Sequence, residues 1–385
     1  MTPAARVGTA IEILDAIFAG EPAEKALTGW ARRSRFAGSK DRAAVRDHVF
    51  DALRQRKSAA ATGGAEDGRG VMIGVLRLAG ENLEALFSGE GYAPAPLTDT
   101  ERAHAAPVTL PEDVPDWLIA PMRDSLGDAF DGAMDAMRQR APVCLRVNLR
   151  KATAAEAQKA LEANGIQAEP MTLADTALRV TEGARKVANS AAYREGLVEL
   201  QDASSQAAVA SLSLRNGLKI MDYCAGGGGK ILAMAARCDG SFFAHDANVS
   251  RLRDLPERAK RAGARITTLK DAAGQAPYDL VFCDVPCSGS GTWRRTPDAK
   301  WRFTKEDLAT LNDVQSRILQ SAASLVAQDG ALVYATCSVL NAENSDRLAA
   351  FLSNNPEWTV DHSRQFQMST EGDGFFVAQL RRKSA

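Results

Sequence analysis

Apolar residues recur at three- and four-residue intervals through residues 4–92, which predicts helix after helix. In VGTAIEILDAIFAG, Ile11, Leu14, Ile17 and Phe18 fall on one face. RAAVRDHVFDALRQ repeats the pattern, with Val45, Val49 and Leu53 on one side and arginines on the other. ATGGAEDGRG (61–70) reads as a glycine-rich loop, and VMIGVLRLAGENLEALFSG returns to helix. Five of the fifteen prolines then lie between 91 and 115, which reads as a linker. The helical stretch PDWLIAPMRDSLGDAFDGAMDAMRQ follows.

The period changes after residue 142. VCLRVNLR is expected as a strand, AAEAQKALEANG as a helix closed by Gly165, and IQAEPM and TALRVT as short strands, together a small α+β unit over 143–200. From 217 strands and helices alternate. The expected strands are LKIMDYC, SFFAHD, ARITTLK, YDLVFCDVP and ALVYATCS, with WTVDHS and FFVAQLRR at the end. Between them lie helices at ILAMAAR, VSRLRDLPERAKRAG, KEDLATLNDVQSRILQSAASLVA and AENSDRLAAFLSNN. This alternation predicts βαβ units and a largely parallel sheet covered on both faces, with its ligand crevice beyond the carboxyl ends of the strands. The divisions expected are a helical domain (1–92), a proline-rich linker with helices (93–142), a small α+β subdomain (143–200) and an α/β domain (201–385).

Composition fits a soluble multidomain protein: 385 residues, 45% hydrophobic, 25% charged. Glu12 and Asp15 stand where a signal peptide needs its apolar stretch, no run approaches the ~18 apolar residues of a membrane span, and six cysteines are too few for a disulfide scaffold. A cytoplasmic protein without metal or membrane attachment is expected, working as a monomer. Net charge is -1, yet residues 31–57 carry nine Lys or Arg against three Asp. Residues 251–270 carry seven basic and two acidic residues, and Arg294, Arg295, Lys300, Arg302 and Lys305 form a third basic block. Such faces bind phosphates even in a neutral protein, or are simply solvated helix surface.

Chemistry enters at MDYCAGGGGK, where four glycines join a strand to a helix start and let backbone approach a ligand closely. GxGxxG fails at Ile231, and GxxxxGK[ST] fails at Cys224 and Ile231, so neither diphosphate cradle is present. Asp246, 19 residues after Gly227, is positioned for ribose hydroxyls, and Asp271 for an adenine edge. Each acid on its own also reads as a helix cap. Acids at successive strand ends around a glycine loop point to a nucleoside cofactor. Cys287 (in DVPCSGSGTW) and Cys337 (in ATCS) both sit at carboxyl strand ends and are expected to face one crevice. Lys230 or the TWRRTPDAKW segment is expected to ease ionisation of Cys287, and Asp284 supplies a hydrogen-bonding acid. Cys144, Cys224, Cys238 and Cys283 read as small buried hydrophobes.

Taken together, YCAGGGGK, HDAN, DVPCSGSGTWRRTPDAKW and ATCS resemble the motifs of the S-adenosylmethionine-dependent RNA (cytosine-5)-methyltransferases. LRVN (145–148) and LQDASSQ (200–206) are similar to that family's RNA-capturing segment. The likeness extends over about 115–385. A helical, basic N-terminal domain resembles that of the bacterial 16S rRNA methyltransferase B (Sun) branch, whose N-terminal region is similar to the antitermination factor NusB. The resemblance implies a class I, Rossmann-like methyltransferase domain acting on RNA, with rRNA the expected substrate. It implies that Cys224, Ala225, Gly226, Gly227, Gly228, Gly229 and Lys230 wrap the methionine and ribose portions of the cofactor. It further implies that Asp246 binds the ribose hydroxyls, Asp271 the adenine, and that Asp284 lies between cofactor and target base. Cys337 becomes the nucleophile and Cys287 an aid to product release. The family's loop commonly has proline where Gly227 stands and a hydroxyl residue where Ile231 stands.

The chemistry asks for the same set: a thiolate to attack carbon 6 of cytosine, an acid at the ring nitrogen, and a base for the carbon-5 proton. The base must leave its stack to be reached, a step that Trp293 or Trp301 would assist unless they are packing residues. Two other readings remain open. A methyltransferase of the same fold on another RNA or protein acceptor needs no second strand-end cysteine. A non-catalytic RNA-binding or antitermination factor explains residues 31–57 and leaves DVPCSG and TCS without a role.

Overall fold

A computed structural model describes residues 1–383, and within it the chain forms two compact units. The first comprises Met1–Ala120, Phe130–Arg140 and Trp293–Arg302. It opens with helices α1 (Pro3–Phe18), α2 (Ala23–Arg33), α3 (Ser39–Arg54), α4 (Arg56–Gly63) and α5 (Gly68–Leu78). Thr2 starts α1 by accepting the Ala5 N–H, and proline sits at the first helical position, where its missing N–H costs nothing. Val7, Leu14, Trp30, Val49, Leu53 and Ile73 meet in one apolar core. Helices α4 and α5 approach so closely that a Cβ on Gly74 would stand 1.8 Å from the Ala59 carbonyl oxygen.

The proline-rich first part of the expected linker, up to Ala120, is part of this unit. Leu97 is buried in its core, and the buried Asp113 carboxylate accepts the Lys57 and Ser58 N–H groups and the Ser58 hydroxyl. Prolines mark irregular backbone, and here irregular backbone is packed chain. The basic TWRRTPDAKW stretch is also packed here. Lys300 Nζ donates to the Arg54 carbonyl at 2.9 Å, Trp301 Nε1 to Leu53 at 2.7 Å, and Arg54 Nε to the Arg294 carbonyl at 2.7 Å.

The second unit comprises Pro121–Ala129, Ala141–Thr292 and the described chain from Phe303 onward. Strands β1 (Val143–Val147), β2 (Gln167–Pro170), β3 (Ala177–Glu182) and β4 (Val198–Leu200) form an antiparallel sheet in the order β2-β3-β1-β4. β4, only three residues long, was not expected. The larger sheet is built from β5 (Leu218–Asp222), β6 (Gly240–Ala244), β7 (Ile266–Thr268), β8 (Tyr278–Asp284), β9 (Val326–Thr336), β10 (Trp358–Phe366) and β11 (Phe375–Arg382). Its order is β10-β11-β9-β8-β5-β6-β7. β5 pairs in parallel with β6 on one side and β8 on the other, and β8 with β9; β11 returns antiparallel to β9 and pairs with β10. The order reverses at β5, so a crevice opens where β5 and β8 end. The helix expected over VSRLRDLPERAKRAG is broken into a 3-10 turn (Val249–Leu252) and a helix (Leu255–Ala262), because Pro256 has no N–H to continue the first.

Candidate active site

β5 delivers the chain into the glycine loop. Gly226 (φ +49°) and Gly228 (φ +81°) take left-handed conformations, and a Cβ on Gly228 would meet Leu255 at 2.2 Å. Here glycine is required rather than tolerated. Ala225 N–H donates to the His245 carbonyl (2.8 Å), and Gly226 N–H to Asp246 Oδ2 (2.9 Å), which fastens the loop to the end of β6. Asp246 is only 4% exposed; its other oxygen accepts the Asn248 N–H, and Arg251 lies 3.4 Å away. A cavity of about 360 Å³ opens beside it, lined by Tyr223, Cys224, Asp246, Arg251, Pro286 and Ile318 among others. Cys224 therefore borders a cavity rather than filling a core, unlike Cys144, Cys238 and Cys283, which are buried. Burial and the carboxylates of Asp222, Asp284 and Asp246 push its thiol well up, so it is a lining group and not a nucleophile. Asp271 does not line this cavity. Its carboxylate caps a 3-10 turn by accepting the Ala273 N–H at 2.9 Å.

Two acids meet beneath the loop. Asp284, the last residue of β8, binds Lys230 Nζ at 2.5 Å. Burial would lower the Lys230 ammonium, but Asp284 holds it above its usual range. Asp222, at the end of β5, was missed by sequence reasoning. It is buried, its oxygens have no well-formed hydrogen bond among the described residues although the Ile231 N–H favours the anion, and burial together with the Asp284 charge raises it to about 7.

The two strand-end cysteines do meet: Cys287 Sγ and Cys337 Sγ are 3.4 Å apart and both are half-buried. Their loops are pinned together. Gly291 N–H donates to the Cys337 carbonyl (3.0 Å), and Val339 N–H to Ser290 Oγ (2.9 Å). The buried Glu343 carboxylate accepts the Ser288 N–H (2.7 Å) and hydroxyl, the Ser338 hydroxyl (2.5 Å) and Gln315 Nε2 (3.0 Å). Cys337 lies below its usual range, with the Cys287 hydrogen bond as first cause and Lys230 as a lesser one; Cys287 lies well above its own. Lys230 thus serves Cys337, not Cys287. Trp293–Arg302 of the TWRRTPDAKW stretch belongs to the helical unit, where Trp293 is 1% exposed and Lys300 fully buried.

A family model described as 16S rRNA methyltransferase RsmB/F matches residues 209–381, and the ferredoxin-like domain described for the same family matches residues 114–187. The ribosomal RNA small subunit methyltransferase B of Citrobacter koseri is 34% identical over 286 residues, covering 70% of this chain and 66% of that protein. The Salmonella arizonae protein of the same name is 35% identical over 288 residues, with the same coverage. The chain belongs to the RsmB/F family of RNA methyltransferases. The matched region spans 66% of these relatives' length. Among solved structures, PH0851 is similar over 99% of both chains (TM-score 0.73, 22% identity). NSun6 from Pyrococcus horikoshii with SFG covers 70% of this chain and 99% of its own (TM-score 0.62, 16% identity). These two likenesses concern the fold. The cofactor of the RsmB/F family is S-adenosylmethionine, and the crevice fits it: a backbone cradle that only glycine can form, a carboxylate beside it at Asp246, and in Asp222 a buried acid whose oxygens have no well-formed hydrogen bond among the described residues.

Proposed function

We propose that the protein methylates carbon 5 of a cytosine in 16S rRNA through a covalent Cys337–base adduct. The observation that carries this reading is the thiol pair at 3.4 Å beside the Lys230–Asp284 pair. A same-fold enzyme acting on another acceptor has no use for two thiols there, and a binding factor none for either. S-adenosylmethionine supplies the methyl group. Gly226 to Gly229 cradle it, Asp246 takes its ribose hydroxyls, and Asp222 takes its ammonium. The Cys337 thiolate bonds to carbon 6, and the ring's electron pair moves to carbon 5 as the Lys230 ammonium passes a proton through the Asp284 carboxylate to the ring nitrogen, leaving Lys230 as the neutral amine. Once carbon 5 is methylated, Cys287 takes the proton from it, the bond from carbon 6 to Cys337 breaks with its electron pair returning to sulfur, and the ring nitrogen gives its proton back through Asp284 to the Lys230 amine.

RNA is held in part by the helical unit. Arg32, Arg35, Arg42 and Arg46 border a cavity of about 700 Å³ with Trp30, and Phe36 is 76% exposed nearby in sequence. Exposed arginines and an aromatic ring are the materials of single-strand binding.

The test uses 16S RNA, labelled S-adenosylmethionine and a denaturing gel. Cys337→Ser is expected to give neither methyl transfer nor adduct; Cys287→Ser is expected to accumulate a slow-migrating protein–RNA species. The reverse pattern would exchange the two roles, and transfer to protein alone would remove RNA as the acceptor.

A further inference from the structure

Cys287 is ordinarily of interest only after methyl transfer, yet in the free protein its sulfur already sits 3.4 Å from that of the nucleophile. Two sulfur atoms at that distance share one hydrogen, and the question is which sulfur keeps it. The surroundings are unequal. Cys337 faces the Lys230 ammonium, together with the Asp284 and Glu343 carboxylates that oppose ionisation. Cys287 faces the Glu343 carboxylate, with a backbone N–H at Gly289 that favours its anion slightly. On the covalent-adduct reading Cys337 is the nucleophile, so the negative charge belongs on Cys337 and the hydrogen on Cys287, the nearest sulfur at 3.4 Å.

We propose that Cys287 is a hydrogen-bond donor to the Cys337 thiolate in the resting protein, so that it generates the nucleophile as well as helping to release the product. Cys337 gives its proton to water, and the Cys287 S–H then holds the remaining charge.

The arrangement also explains how one thiol serves two steps, on the reading of a covalent adduct given above. While Cys337 is a thiolate, Cys287 is held protonated and is useless as a base. When Cys337 sulfur bonds to carbon 6 it becomes a neutral thioether and a poor acceptor. Cys287 is then released to lose its proton to solvent, and its thiolate accepts the hydrogen from carbon 5. Breaking the carbon–sulfur bond returns an anion to Cys337 beside a Cys287 S–H, which is the starting state with every proton accounted for. The rigid frame of Glu343, Ser288, Ser290 and Ser338 keeps the two sulfurs in place throughout.

The experiment needs neither RNA nor cofactor. Alkylation of Cys337 by iodoacetamide is followed against pH in the full-length protein, read on the Cys337 peptide by mass spectrometry. The parent is expected to titrate below an ordinary thiol, near pH 8.5. Cys287→Ala is expected to move the curve up by a unit or more, which at neutral pH is about a tenfold loss of alkylation rate. Cys287→Ser, whose hydroxyl still donates, is expected to lie between the two. A Cys287→Ala curve that superimposes on the parent overturns the proposal. So does a curve that moves only with Lys230→Gln, since the ammonium alone would then set the nucleophile. Because no RNA is present, either outcome is independent of which atom of which acceptor is methylated.

Discussion

Asp222 shows how much a single side chain depends on what binds it. Burial raises its carboxyl from 3.8 to about 7, a difference worth up to about 4 kcal/mol at about 1.4 kcal/mol per unit. Between those values the folded protein holds a proton that the unfolded chain has lost, so this group's contribution to stability falls as pH rises from 4 to 7. Thermal unfolding of the cofactor-free protein should therefore show Asp222→Asn gaining on the parent across that window and remaining more stable at pH 8. The same variant is expected to bind S-adenosylhomocysteine about ten- to a hundredfold more weakly by calorimetry, the scale of a charged hydrogen bond, while 5′-methylthioadenosine, which lacks the ammonium, binds unchanged. Equal losses for both ligands would take Asp222 away from the ammonium. The sequence made the thiols, the glycine loop, Asp246 and Asp284 legible because each stands in a run of unusual neighbours just past a strand. Asp222 and Glu343 carry no such signal. Their roles come from burial, from Glu343's donors 5 to 55 residues away, and from the charge of Asp284, far along the chain from Asp222.

At the scale of elements, the period of apolar residues located most strands and helices, and its failures have local causes. β4 is too short to show alternation. Pro256 was a visible break inside a helical pattern. Strand direction is absent from a periodicity, so the antiparallel return of β11 against β9 could only be seen in three dimensions. The turn between α2 and α3 is where an expectation about charge can be tested. Arg42 is tied to the Ala37 carbonyl and Arg46 to Glu24, whereas Arg32, Arg33, Arg35 and Lys40 extend from exposed positions. Replacing Arg32, Arg33, Arg35, Lys40 and Arg42 by glutamine is expected to flatten the slope of log RNA affinity against log salt by a unit or more, since each phosphate contact contributes roughly 0.7–0.9. Cofactor affinity should stay as it was. An unchanged slope would make these residues ordinary solvated surface.

Over the whole molecule, the least legible feature was the destination of TWRRTPDAKW. Its basic and aromatic composition suggested a hand on the RNA, and the competing reading, packing, is what occurs: Lys300 is fully buried in the helical unit with its ammonium on the Arg54 carbonyl. Burial lowers Lys300 from 10.5 to about 7. From pH 7 to 10 the unfolded chain holds a proton there that the folded one has lost, so this contribution to stability rises with pH. Lys300→Met is expected to abolish that rise, narrowing the gap to the parent by up to about 4 kcal/mol across the window; parallel stability curves would mean the lysine is solvated after all. A unit closed by Trp293–Arg302 also has a timetable. Helices α1 to α5 leave the ribosome early, but the segment that completes their core emerges roughly 150 residues after Arg140. At 5–20 residues per second that is a wait of roughly eight to thirty seconds, during which the first unit to be synthesised lacks the segment that carries Trp301 onto its apolar core.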